Sequence, residues 1–150
     1  MKNFKFKFSS ILKLRRNLEF QSLRELGFSK KNYQIEFDKK IQDQESVKKS
    51  FMRIEKFENH LIHFRDYELE KNYIQLIQDN ISKIEKNVQS AKEVFIQNLK
   101  NYNLAKKKVH MLEFFFNQFY QKYRKEFKAQ EQRKLDDIHL IQFIRQKGKI

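Results

Sequence analysis

A ladder of apolar residues, in alternating steps of three and four, runs unbroken from Ile74 to Tyr123. Its rungs are Ile74, Ile77, Ile81, Ile84, Val88, Ala91, Phe95, Asn98, Tyr102, Ala105, Val109, Leu112, Phe116, Phe119 and Tyr123. Fourteen of those fifteen positions are apolar or aromatic, where the 39% apolar content of the chain would supply about six by chance. A 3.5-residue repeat held over seven heptads lays one narrow stripe of a helix against a partner helix. The repeat predicts an elongated, all-α chain whose function lies in what it touches.

Composition agrees with that constraint. The chain has 150 residues, no proline and two glycines, Gly27 and Gly148. Average usage would give roughly 7 prolines and 10 glycines, residues that turns need and continuous helices exclude. Few helices, each long, are therefore expected, and a single domain suffices. Cysteine is absent, so no disulfide forms and a reducing compartment is the simple reading. No apolar run reaches the roughly 18 residues of a membrane span. Lys5, Lys7, Lys13, Arg15 and Arg16 break any signal-peptide core near the N-terminus, and no small-residue cleavage site follows. These features predict a cytoplasmic protein.

The net charge of +14 is unevenly spread. Residues 1–31 hold nine Lys and Arg against two acids, residues 32–99 eleven against twelve, and residues 100–150 thirteen against five. A chain that doubles back would bring its two basic ends together at one pole. Such a pole seeks an acidic partner, whether a protein cavity, a membrane surface or nucleic acid.

Along the chain, Phe4, Phe6 and Phe8 alternate with Lys5 and Lys7 as a basic arm over residues 1–9. Ser9 or Ser10 can cap a helix, after which Ile11, Leu14 and Leu18 recur at helical spacing. The first helix is expected over about 10–58. Tyr33, Phe37, Val47, Phe51 and Ile54 mark its apolar stripe, interrupted by Lys40 and Gln44. Gly27 to Asn32 is its weakest stretch and either kinks it or is tolerated. A turn is placed in the segment from Phe57 to Asp66, at about 59–66, where Asn59 and Asp66 can cap helix ends. The second helix then occupies about 67–146 and outruns the first, the arms being roughly 75 and 120 Å long. Near Tyr123 the ladder loses its step, and Phe127, Leu135, Ile138 and Ile141 continue in shifted phase, as at a stutter. Phe114, Phe115, Phe116, Phe119, Tyr120 and Tyr123 cover more than one helix face, an aromatic surplus that asks for a third surface.

Catalytic signatures are missing. There is no Ser–His–Asp order, phosphate-cradling glycine loop or nucleophile elbow, and a hairpin lacks a concave pocket. No enzyme activity and no cofactor are expected. His60, His63 and Asp66 recur at intervals of three and could share a helix face, yet they lack further metal ligands. Asn98, the polar rung, either fixes register or faces solvent. Lys106, Lys107 and Lys108 read as a solvated face. A basic nucleic-acid-binding helical protein is the less favoured alternative, because no basic stripe along one face supports it. A generic coiled-coil adaptor is the other.

Two stretches at opposite ends carry a resemblance. Phe4 to Arg16 reads FKFKFSSILKLRR, and Gln130 to Phe143 reads QEQRKLDDIHLIQF. Together they resemble the flagellar FliJ family, the small coiled-coil component of the flagellar type III export apparatus. Phe6, Phe8, Ser9, Leu12 and Arg15 or Arg16 fit its F-x-F-S-x-x-x-L-x-x-R opening loosely, Leu12 standing one place early. Its E-Q-K-E-L-D-E close is matched by Glu131, Gln132, Leu135, Asp136 and Asp137, and Tyr67, Tyr73, Ile74 and Ile77 stand where its second helix opens. The high Phe content, the Gly27 break and the basic head depart from the pattern.

The resemblance implies an antiparallel two-helix coiled-coil hairpin, second helix longer, similar to the central stalk of rotary ATPases. Its paired ends would insert into the hexameric export ATPase, and its far end would engage the cytoplasmic domain of the export gate. It would also escort export chaperones, from a cytoplasmic position peripheral to the inner membrane at the flagellar base, with no nucleic acid as partner. Residues expected at the ring are Phe6, Phe8, Leu12, Arg15, Arg16, Phe115, Tyr120, Glu131, Gln132, Leu135, Asp136 and Asp137. Those expected at the gate, near the turn, are Phe51, Tyr67, Tyr73 and Leu76.

Overall fold

A computed structural model describes residues 4–59 and 63–148. Among them, two α-helices make up all the regular structure: α1, Ser9–Glu58, and α2, Phe64–Lys147. They pack together as an all-α antiparallel hairpin in which α2 is the longer, 84 residues against 50. Local chemistry explains the ends. The first turn of α1 is entered through the Ser9 and Leu12 amides, which donate to the carbonyls of Phe6 (3.1 Å) and Phe8 (2.9 Å). Asn59 closes the helix by donating its side-chain amide to the Glu55 carbonyl at 3.0 Å. Asp66 sits in the first turn of α2 and Arg145 and Lys147 in its last, each sign where the helix dipole favours it. The His63–Asp66 pair lies at this entry, its backbone linked by the Asp66 amide at 2.9 Å; His60 is outside the described residues. Gly27 does not end α1, which continues through it with no positive φ.

Packing divides the chain into two units, residues 20–104 and residues 1–19 with 105–150. In the first, α2 turns its ladder inward. Ile74 and Ala91 are buried, and Ile77, Ile81, Ile84, Val88, Phe95, Asn98 and Tyr102 are half-buried, with Tyr67 and Glu70 extending the row toward the helix start. The facing row of α1 follows the same heptad step: Ser22, Leu26, Ser29, Tyr33, Glu36, Lys40, Asp43, Val47, Ser50, Ile54 and Phe57. This row differs from the expected stripe. Phe37 and Phe51 point outward, 41% and 52% exposed, whereas Lys40, read as an interruption, lies in the seam.

The reason is steric. Cross-helix ties fix the register: Arg53 to Glu70 at 2.7 Å, Asn80 to Asp43 at 2.7 Å, Lys40 to Glu85 at 3.0 Å, and Asn98 to the Glu25 carbonyl at 3.4 Å. That register sets Ser50 level with Ile74, Ser29 with Phe95 and Ser22 with Tyr102, while Tyr33 falls level with small Ala91 and stacks its ring on Phe95, centroids 6.1 Å apart. Bulk on one helix answers a gap on the other, as close packing demands. Serine is tolerated there because its hydroxyl is partnered. Ser29 donates to the Leu26 carbonyl at 3.0 Å, and Ser50, fully buried, accepts from Arg53 at 3.0 Å. Lys40 buries its stem and carries its ammonium out to Glu85.

In the second unit, Phe6, Leu12 and Val109 form a buried core, with Phe4, Phe8, Leu112 and Phe116 packed against it. The basic arm thus adds a third layer to the helix pair. Arg15 and Ala105 are half-buried in this seam, and Ile11, Leu14 and Leu18 face outward.

Candidate functional interface

Three surfaces of the unit formed by residues 1–19 and 105–150 stand out. The first is an aromatic clasp. Phe4 lies against Phe116, Tyr120 and Tyr123 with ring centroids at 5.7, 5.4 and 5.3 Å. Phe6 lies against Phe8, Phe116 and Phe119 at 5.7, 5.2 and 6.2 Å. Most pairs are tilted or edge-on, the arrangement ring quadrupoles favour. The third surface that the aromatic surplus requires is therefore supplied in part by the chain's own arm. Phe119 and Tyr120 stay 46% and 39% exposed even so.

The second surface is an uncovered apolar strip. Heptad phase sets Ile11, Leu14 and Leu18 of α1 on the same side as Met111 and Phe115 of α2, each between 40% and 63% exposed. On the opposite side the helices are joined by Arg16 and Glu113 at 2.9 Å, a pair that His110 approaches at 3.6 Å. Of the residues expected at a ring, Phe6, Phe8 and Leu12 are brought together in the core, Arg16 is tied to Glu113, and Phe115 stands on the strip. Sequence reasoning missed the outward course of Ile11, Leu14 and Leu18. A strict heptad stepped backward from Phe57 through Ser50, Asp43, Glu36 and Ser29 would have found it, but those residues carry no apolar signal.

The third surface is the tail of α2. Beyond Phe127 every described residue is exposed. Leu135, Ile138, Leu140, Ile141, Phe143 and Ile144 are each at least 50% exposed. At 3.6 residues per turn these six are distributed around the whole helix, with no gap wider than about 80°. Apolar side chains on every side of a helix, here with Asp136, Asp137, His139 and Gln142 between them, leave no single face for one flat partner. Glu131, Gln132, Asp136 and Asp137 share this tail, where Gln132 donates to Asp136 at 2.9 Å. Lys147 lies 4.6 Å from the Phe143 ring centroid. The whole unit holds eighteen Lys and Arg against six acids.

In the unit of residues 20–104, a groove of about 800 Å³ runs between the helices near the turn. Phe51 and Tyr67, expected at the gate, line it together with Ile54, Ile74 and Lys71. Tyr73 and Leu76 do not; they stand exposed at 43% and 69%. Among the described residues no group of three His, Cys, Asp or Glu is placed to hold a metal ion, and no helix is long and apolar enough to cross a membrane.

This is an α-helical hairpin with apolar surfaces left exposed, and a family comparison makes the class specific. The chain matches the family model described as flagellar FliJ protein over residues 4–148, and it belongs to that family. The family comprises coiled-coil, non-enzymatic components of flagellar export. No curated protein and no solved structure matches the chain.

Proposed function

We propose that the protein is the stalk of a flagellar export ATPase, with the bare α2 tail and adjoining strip received inside the hexameric ring. One observation carries this reading: from Leu135 to Ile144 uncovered apolar side chains emerge on every side of the helix, with Asp136, Asp137, His139 and Gln142 between them, so surroundings that enclose the tail suit it better than a surface that flanks it. A ring lumen meets that requirement where a flat docking surface does not. The basic charge of the same unit suits an acidic lining. Phe51, Tyr67, Tyr73 and Leu76 then serve the cytoplasmic domain of the export gate, and the hairpin escorts export chaperones. The ATP chemistry belongs to the ring. The protein works in the cytoplasm, peripheral to the inner membrane at the flagellar base.

The test is retention of the full-length protein on its export ATPase, and stimulation of that ATPase, before and after Ile141→Ser with Phe143→Ser. Both side chains are more than half exposed, so the fold should change by less than about 0.5 kcal/mol, while retention and stimulation are lost. Undiminished retention by a folded double variant overturns the reading.

A further inference from the structure

Gly27 lies inside a continuous helix with nothing within 4 Å of where a Cβ would stand, and its φ is ordinary. Neither a turn nor close packing within the chain requires glycine there, although a helix-interior glycine costs about 1 kcal/mol relative to alanine. Its neighbours are unusual. On the same side of α1 by heptad phase are Phe20, 62% exposed, and Leu23, 45% exposed. The register sets Ile96 and Leu99 of α2 beside them, 40% and 38% exposed. All five lie in the unit of residues 20–104. The result is a shallow apolar face with a bare backbone at its centre, the surface that lets another helix approach closely.

The charges around this face are predominantly positive. Arg24, Lys30, Lys31, Lys92 and Lys100 border it, against the single carboxylate of Glu93 on the outer edge. We infer that the Phe20–Gly27–Leu99 face is a docking site for an acidic amphipathic helix of a partner protein. The apolar centre seats the partner's apolar ridge, and the five cations meet carboxylates on its flanks. A second copy of the chain fits poorly, since an isologous contact would bring the same cations face to face. The site is separate from the surfaces assigned to the ATPase ring.

The probe is a labelled amphipathic peptide of about 18 residues, five helical turns, with a Leu/Ala ridge flanked by Glu. A matched peptide carries Lys in place of Glu. Each is titrated with the full-length protein at physiological salt and followed by fluorescence anisotropy. The Glu peptide should bind and the Lys peptide should not. Gly27→Leu, which fills open space and favours helix, should weaken binding at least about tenfold while the circular dichroism spectrum stays intact. Lys30→Glu with Lys92→Glu should reverse the preference between the peptides. Equal binding of both peptides, or binding of the Glu peptide unaffected by Gly27→Leu, overturns the proposal, because charge attraction alone would then explain it. Concentration-dependent dimerisation abolished by Gly27→Leu also overturns it, in favour of a second copy. Ile141→Ser with Phe143→Ser should leave peptide binding unchanged, which separates this site from the stalk reading.

Discussion

Lys40 and Asp43 occupy consecutive inward positions of α1, opposite a row of α2 that supplies isoleucines. Replacing both, as Lys40→Leu with Asp43→Leu, should stabilise the protein. A fully buried leucine is worth about 1.5–3 kcal/mol over an exposed one. The Lys40 side chain is already only 24% exposed, so its stem covers part of that area and the gain at this position is about 1 kcal/mol. Its ion pair with Glu85, whose side chain is 53% exposed, offsets less than about 1 kcal/mol. At Asp43 the gain is about 1.5 kcal/mol with a few tenths more from helix propensity, set against a bond to the solvent-facing amide of Asn80 worth roughly 0.5–1 kcal/mol. The net is about 1.5 kcal/mol, or some 3–6 °C in melting temperature for a chain of this size. Urea and thermal unfolding followed by circular dichroism measure it, with Lys48→Leu and Lys49→Leu at exposed positions as the control pair. A double variant no more stable than wild type, or no more stable than the control pair, refutes the assignment of Lys40 and Asp43 to the seam.

Further outcomes can be checked on the same footing. Gly27→Ala should raise stability by about 0.5–1 kcal/mol, since the added methyl meets open space and loses no special backbone conformation; a lower urea midpoint would contradict this. Phe6→Ala removes an 8%-exposed ring and its contacts to Phe8, Phe116 and Phe119. Amide exchange over residues 9–16 should accelerate while residues 74–102 keep their protection, and unchanged exchange in the first turns of α1 would show that the arm does not hold them. Arg16→Gln should cost less than about 1 kcal/mol, because both partners of its ion pair are solvent-exposed; a larger loss would mean that the pair orders the helix junction.

The α2 half of the fold was legible because its inward row is written in aliphatic and aromatic residues from Ile74 onward. Helix existence followed from the absence of proline. The α1 half was legible only in part: Tyr33, Val47 and Ile54 do lie in its inward row, but Ser22, Ser29, Glu36, Lys40, Asp43 and Ser50 share that row and carry no apolar signal. Only the volumes on the opposite helix make those positions interior. Others of its visible apolar residues, Ile11, Leu14, Leu18, Phe37 and Phe51, mark the outside instead. The clasp was half-legible: the alternation of Phe4, Phe6 and Phe8 and the crowding from Phe114 to Tyr123 were plain, but nothing local tied one to the other. Asn98 shows why a polar rung stays ambiguous in sequence. It is half-buried at the interface, and its amide reaches the opposite backbone at Glu25.

The pairing of Ser29 with Phe95 and of Tyr33 with Ala91 has an evolutionary consequence. From Ile74 to Tyr102 the rungs of α2 are similar enough that a featureless second helix could mesh with them one heptad up or down, as a plain comb slides along another. The serine gaps and the Tyr33 tooth key the two combs to a single alignment. Changes there should therefore be inherited together: a lineage that enlarges Ser29 must shrink Phe95, and one that trims Tyr33 must compensate at Ala91 or at Phe95, on which its ring stacks.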